Sequence, residues 1–214
     1  MAGILSSVEI CNLALDQLKE DSISSIESPT TNIEVLCKRW YDQVRRAVLR
    51  KHPWNFAIKR ASLAELATAP EFEYAKQFQL PSDYIRLLTV GTYGNQKRYQ
   101  LENNKILIDD VSGLTAAGAL PIRYIYDFTT VTQMDPLFID VLAVELAIRI
   151  SYQITGSGTK GRDLMATLAE IAPGAYAVDG QERPPQRRET SRFKSKRRGH
   201  NGSYASPYTI TESV

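Results

Sequence analysis

At 214 residues the chain suits one folded domain plus an appendage, and a domain of that size buries roughly 70% of its unfolded surface. Hydrophobic residues at 43% and charged residues at 23% lie near globular averages, which excludes a collagenous, low-complexity or wholly disordered chain. The formal net charge of +2 hides an asymmetry: Arg183 to Arg198 holds eight basic residues against Glu189 alone, leaving 18 basic and 23 acidic side chains elsewhere, a mildly acidic body with a basic tail.

Taken in order, Ser6-Ser7-Val8-Glu9 has the form of a capping box, and Ile10, Leu13, Ala14 and Leu18 form an apolar stripe, which predicts a first helix to about Glu20. Asp21 to Thr30 is turn chemistry punctuated by Pro29. A second capping box, Thr31 to Glu34, opens a second helix. On it Ile33, Leu36, Cys37, Trp40, Val44, Ala47 and Val48 recur at steps of three and four. Lys38, Asp42, Arg45 and Arg46 fall on its other face, which is expected to be solvated. Pro53 stops this helix, because it lacks an N–H and biases His52 away from the α region. Trp54 and Phe56 follow on either side of Asn55, so in a strand both rings point to one side. They are expected in the core, with Trp40 beside them in the apolar stripe.

Beyond the junction, Phe56 to Arg60 and Tyr84 to Val90 read as strands, and Asn103-Asn104 is a tight hairpin signal between Tyr99–Glu102 and Lys105–Ile108. Asp109 to Ala119 reads as a small polar loop, and Pro121 to Tyr126 as the last strand. Asp135-Pro136 is a cap followed by proline at the first helical position, opening a third helix to about Ile154 that is apolar on nearly every side. Its charges Glu145 and Arg149 are four apart, a spacing that pairs them. Leu164, Leu168 and Ile171 define a fourth helix, which Pro173-Gly174 either ends or kinks. The expected fold is therefore α+β and mainly α. Residues 1–55 and 130–183 form an antiparallel helical bundle, 56–129 an inserted antiparallel β-rich subdomain between helices two and three, and 184–214 a basic extended arm.

The residues offer no catalytic set. His52 and His200 are the only histidines, and Cys11 and Cys37, the only cysteines, fall on apolar helix faces, as buried thiols in a reducing compartment do. Neither pair has the spacing of a metal site. Gly156-x-Gly158-x-x-Gly161 matches a dinucleotide fingerprint as a bare pattern but follows a helix rather than a strand, so it is a chance match. Asp109-Asp110 are adjacent and point apart on an extended segment. A carboxylate pair for glycoside hydrolysis is defined by its separation in space, and no residue pattern signals one here. No cofactor, metal or catalytic residue is expected. MAGILSS lacks a basic n-region and a continuous apolar core, and the longest apolar run, Leu137 to Ile150, is broken by charges, so synthesis in a cytoplasm and no membrane insertion are expected.

From Pro184 the apolar periodicity vanishes. Arg187, Arg188, Arg192, Phe193, Lys194, Lys196, Arg197 and Arg198 interleave charge with one ring, and Tyr204, Tyr208 and Ile210 follow as anchors. Such an arm binds nucleic acid through phosphates, with salt-dependent affinity, or orders itself on a protein surface. Both readings stand on composition alone.

Several blocks of the body resemble the head-to-tail adaptors of short-tailed bacteriophages, the family called tail tubular protein A or tail accessory factor. They are Ile10-Cys11-Asn12-Leu13-Ala14-Leu15, then Cys37-x-x-Trp40-Tyr41-x-x-Val44-Arg45-x-x-Val48-Leu49, and the junction His52-Pro53-Trp54-Asn55-Phe56-Ala57. Phe78-x-Leu80-Pro81-x-Asp83-Tyr84-x-Arg86, Ile122-Arg123-Tyr124-Ile125 and Asp135-Pro136-Leu137-Phe138 complete the set, which spans about residues 7 to 170. The Pro-Trp-Asn-Phe-Ala junction is its most specific piece; the end of the chain from Pro173 aligns with nothing in the pattern. The resemblance implies a structural virion protein of the portal-proximal tail, made in the host bacterial cytoplasm and not an enzyme. It implies a ring, usually of twelve copies, beneath the portal protein. Below the ring dock a tail nozzle (tail tubular protein B) and tail fibres, and genomic DNA passes through the lumen. The arm residues named above are then expected to grip the portal, and Arg45 and Arg46 to contribute to subunit–subunit contacts. Two other readings compete: a nucleic-acid-binding protein using the arm, and a cell-wall hydrolase acting during entry.

Overall fold

The computed structural model describes residues 6–92, 95–96, 98–109 and 118–182. The arm residues from Arg187 to Tyr208, and most of the polar loop after Asp109, lie outside them.

Helix α1 (Ser7–Asp16) starts as its sequence dictates: the Ser6 hydroxyl accepts the Glu9 N–H at 3.3 Å, and the Glu9 carboxylate accepts the Ser6 N–H at 3.0 Å. Helix α2 (Asn32–Lys51) repeats the device with Thr31 and Glu34. Glu34 also accepts the Thr30 N–H at 2.6 Å and the Thr30 hydroxyl at 2.9 Å. These donors, Thr30 first, pull its carboxyl from 4.5 down to about 2. Helix α2 ends at His52, whose extended backbone (φ −127°, ψ 144°) is what a following proline demands.

Asn55–Ala57 departs from expectation. It is a single 3-10 turn, and strand β1 begins one residue later at Ile58. Trp54 and Phe56 still lie together, with ring centroids 6.2 Å apart, because the turn rather than a pleat brings both onto Phe138.

The insert contains two antiparallel sheets rather than one. β1 (Ile58–Leu63), β3 (Tyr84–Thr92), β4 (Asn95–Gln96) and β7 (Leu120–Tyr126) build the first in the order β1-β7-β3-β4. β2 (Lys76–Gln79), β5 (Gln100–Glu102) and β6 (Lys105–Ile108) build the second in the order β2-β6-β5. β1 pairs with β7 from Ile58↔Ile125 to Leu63↔Leu120, while β3 meets β7 with two register shifts. The β5–β6 hairpin turns on Asn103 and Asn104, both left-handed (φ 43° and 60°), the conformation a two-residue hairpin turn needs and asparagine tolerates. Leu63, Phe78, Val90, Ile106, Leu120 and Ile122 from both sheets close a small core of their own.

Helix α3 (Pro136–Thr155) is capped by the Asp135 carboxylate, which accepts the Leu137 and Phe138 N–H groups at 2.8 and 3.2 Å, and ends at left-handed Gly156. It is buried on most of its circumference and is the centre of the larger core, which α1 and α2 join through Ile10, Leu15, Val48 and Leu49. Glu145 does not pair with Arg149: it pairs with Lys51 of α2, and the Arg149 guanidinium lies 5.8 Å from the Trp40 ring centroid. Helix α4 (Gly158–Gln181) continues through Pro173 and does not end there. Proline forfeits one bond to the carbonyl four residues back, but Ala172 and Ala175 on either side of the pair are buried and hold the helix in register. The glycine pattern before it is structural: Gly156 caps α3, Gly158 opens α4, and at Gly161 a Cβ would meet the Ser151 hydroxyl of α3 at 3.0 Å. The fold is thus mainly helical α+β, with four helices and two small sheets between the second and third. Among the described residues no helix is long and apolar enough to cross a membrane.

Candidate functional site

The polar centre of the body lies where the helix-two stop meets the last turns of α4. Trp54 is fully buried and its indole N–H donates to the Val48 carbonyl at 3.3 Å, tying the junction back onto α2. Its ring meets Phe138 and Tyr176 edge-on, with centroids 5.2 and 5.6 Å away. Outside this aromatic layer His52 stacks on Tyr176 at 4.6 Å and 8° between planes. The far nitrogen of His52, Nε2, lies 2.8 Å from Asp179 Oδ2.

Asp179 is 5% exposed, and its other oxygen accepts the Asn55 N–H at 2.8 Å. The Asn55 amide donates in turn to the Asp179 carbonyl at 2.6 Å and to Glu182 Oε2 at 3.2 Å. Buried carboxylates are retained where donors surround them, and here the partners come from either side of Pro53, the His52 ring before it and the Asn55 N–H after it. The clasp fixes the final turn of α4, immediately before the basic arm.

A second network involves Arg45 and Arg46, and it corrects the expectation for one of them. Arg45 is not on a solvated face. Its side chain is 4% exposed, and Nη1 donates to Asp127 at 2.6 Å and to the Phe128 carbonyl at 2.5 Å, while Nη2 meets Asp42 at 3.1 Å. It holds α2 to the segment leaving β7, and its guanidinium is closed off from solvent. Arg46, one position round the helix, is 56% exposed and reaches Asp127 Oδ2 with Nε alone at 3.4 Å.

Arg46 borders an open groove of about 440 Å³ between α2 and the turn before β3, lined also by Arg50, Pro81, Ser82, Tyr84 and Asn104. The Arg50 guanidinium is held by the Ile85 carbonyl, and Arg86 donates to the Arg50 carbonyl at 3.0 Å. Behind the groove's turn, Asp83 accepts from Lys59 at 2.7 Å and from the Tyr124 hydroxyl at 2.9 Å. Burial raises its carboxyl, but these partners outweigh that and leave it below the usual carboxylate range.

Among the residues expected in the core, Trp54 is fully buried, Pro53 and Phe56 beside it are half-buried, and Trp40, further up α2, is half-buried as well. The two cysteines, 26 residues apart, meet between α1 and α2. A hydrogen bond with the Cys37 thiol, with burial second, pushes the Cys11 thiol far up. No grouping of metal-ligating side chains occurs among the described residues. Asp179, Tyr176, Asp127 and Arg50 carry the two networks and escaped the sequence reading. The only available signal for Asp179 was an acid at the end of a helix where a base is usual. The portal-binding residues expected in the arm are not among the residues described. Compared with known proteins, the chain matches no family model and no curated sequence.

Proposed function

We propose that the chain is a structural virion protein: a head-to-tail adaptor subunit that forms a ring beneath the portal and docks the tail, with its C-terminal arm gripping the portal. The observation that carries the reading is the Pro53–Ala57 junction. It is the most specific piece of the resemblance, and it joins α2 to the inserted sheets around one buried tryptophan that packs on Phe138 of α3. A subunit of this kind acts through surfaces. The clasp of His52 and Asn55 on Asp179 ties the last turn of α4 to the junction, and the exposed Arg46 groove gives the body a polar contact surface.

The test is to mix the full chain with its portal and image the product. A ring on the portal is expected. Deleting residues 184–214 removes docking while leaving the body's unfolding transition unchanged; docking that survives the deletion refutes the role given to the arm.

The basic arm itself favours a second reading, binding to nucleic acid. A salt titration against duplex DNA separates the two, since phosphate contacts give an affinity that falls steeply with salt. Micromolar binding with a steep slope supports the second reading, and weak, flat binding supports the adaptor.

A further inference from the structure

A closed ring of identical subunits needs a heterologous contact, in which two different patches of one chain meet. The body carries two patches of opposite character, flanking the tip of the β5–β6 hairpin. Asn104 borders the Arg46–Arg50 groove. Asn103, next to it, borders a separate cleft of about 370 Å³ whose outer wall is the Pro70–Tyr74 loop. Phe72, at the centre of that loop, is 75% exposed, the highest among the exposed large hydrophobic side chains described. Glu71 and Glu73 flank it, both exposed and neither in an ion pair among the described residues. Glu73 adopts a left-handed backbone (φ 67°) that turns the loop at its tip.

The loop therefore presents an aromatic ring between two carboxylates. The groove presents the complement: two guanidiniums, each tethered within its own fold, Arg46 by Asp127 and Arg50 by the Ile85 carbonyl, beside Pro81 and Tyr84. Both side chains are exposed, and a guanidinium has five N–H donors in a planar fork suited to a carboxylate. Tethering also reduces the side-chain entropy lost when a partner arrives.

We infer that the Pro70–Tyr74 loop of one copy docks in the Arg46–Arg50 groove of a second copy, Phe72 lying on Pro81 and Tyr84 and Glu71 and Glu73 meeting the two arginines. The inference rests on the self-assembling reading above and names the contact it uses. In a docked pair one copy keeps its groove free and the other its loop, so the contact can propagate from copy to copy.

The experiment uses the full chain in two preparations, Ala69→Cys beside the loop and Ser82→Cys in the groove, mixed at high concentration and low salt with a short bismaleimide. The native cysteines are buried and act as spectators. A heterotypic adduct is expected in at least tenfold excess over either homotypic one. Adding Arg46→Glu and Arg50→Glu to the groove partner abolishes the excess, and adding Glu71→Lys and Glu73→Lys to the loop partner as well restores it. Circular dichroism verifies that each variant is folded. A heterotypic yield no higher than the homotypic ones, or one indifferent to charge reversal, overturns the inference. If rings form on the portal without this adduct, the contact fails and the ring reading stands; an adduct without rings on the portal gives the reverse.

Discussion

Replacing Asp179 with alanine tests whether the clasp fixes the end of α4. The change removes the acceptor of two hydrogen bonds, from His52 Nε2 and from the Asn55 N–H, each 2.8 Å long. It leaves intact the bond from the Asn55 amide to the main-chain carbonyl of residue 179. A hydrogen bond to a charged group contributes about 1.5–3 kcal/mol when its geometry is good. The two bonds are not additive because they share one carboxylate, so the expected loss is about 3 kcal/mol. In a body of this size that lowers the unfolding midpoint by roughly 6–12 °C. The Asp179→Asn substitution keeps one acceptor and the side-chain shape, and should cost about 1 kcal/mol. Urea unfolding at constant m-value measures both variants. Hydrogen exchange supplies the local readout: amides from Ala175 to Glu182 should lose protection in Asp179→Ala before those of α3 do. A loss below about 0.5 kcal/mol, or protection unchanged in that last turn, refutes the argument that the clasp holds the end of α4.

Four further outcomes follow from the same structure. Arg45→Ala should cost about 1–3 kcal/mol because the Phe128 carbonyl loses its guanidinium donor and Asp127 keeps only the longer contact to Arg46, whereas exposed Arg46→Ala should cost less than about 0.5 kcal/mol; chemical denaturation of the two variants separates a buried tie from a surface contact. Trp54→Ala should destabilise by about 3–5 kcal/mol, read as a lowered urea midpoint, since a fully buried indole at the meeting of α2, α3 and α4 is lost. Glu34 has a folded pKa of about 2 against an ordinary 4.5, so its contribution is fully present above about pH 4.5 and is lost as pH falls through the folded value. Glu34→Gln should accordingly be less stable than wild type at pH 7 and flatten the stability–pH curve between about pH 5 and 2 in a series of urea titrations. Finally, both thiols should resist an aromatic disulfide reagent in the folded chain and react together once urea unfolds it, because each is wholly buried.

The helices were legible because their signals are local. Two capping boxes, an Asp-Pro start and a three–four apolar rhythm each lie within a few residues, and all four helices are present, though the first ends at Asp16 rather than near Glu20. The Asn-Asn turn was legible for the same reason. What failed to show involves partners distant in sequence. Arg45 sits beside Val44 on α2 and looked solvated until Asp127, 82 residues later, arrived to pair with it. Glu145 had a good partner four residues away but took Lys51, 94 residues off, because α2 and α3 pack directly. Asp179 was unreadable because nothing around it announces that His52 and Asn55 will arrive, 127 and 124 residues earlier in the chain. The proline in α4 was ambiguous by local rules, and packing of Ala172, Ala175 and Tyr176 decided it.

The insertion of two sheets between α2 and α3 has a consequence for synthesis. The apolar face of α2 is covered chiefly by α3, whose last residue, Thr155, leaves the ribosome about 100 residues after Lys51. At typical elongation rates of roughly 5–20 residues per second, α2 waits about 5–20 s with that face open. The β5–β6 hairpin closes within microseconds once made, but the β1–β7 pairing must bridge more than fifty residues and closes late. The nascent chain therefore exposes Val44, Val48 and Leu49 to any chaperone at the exit tunnel, and the body becomes stable only when its third helix has been translated.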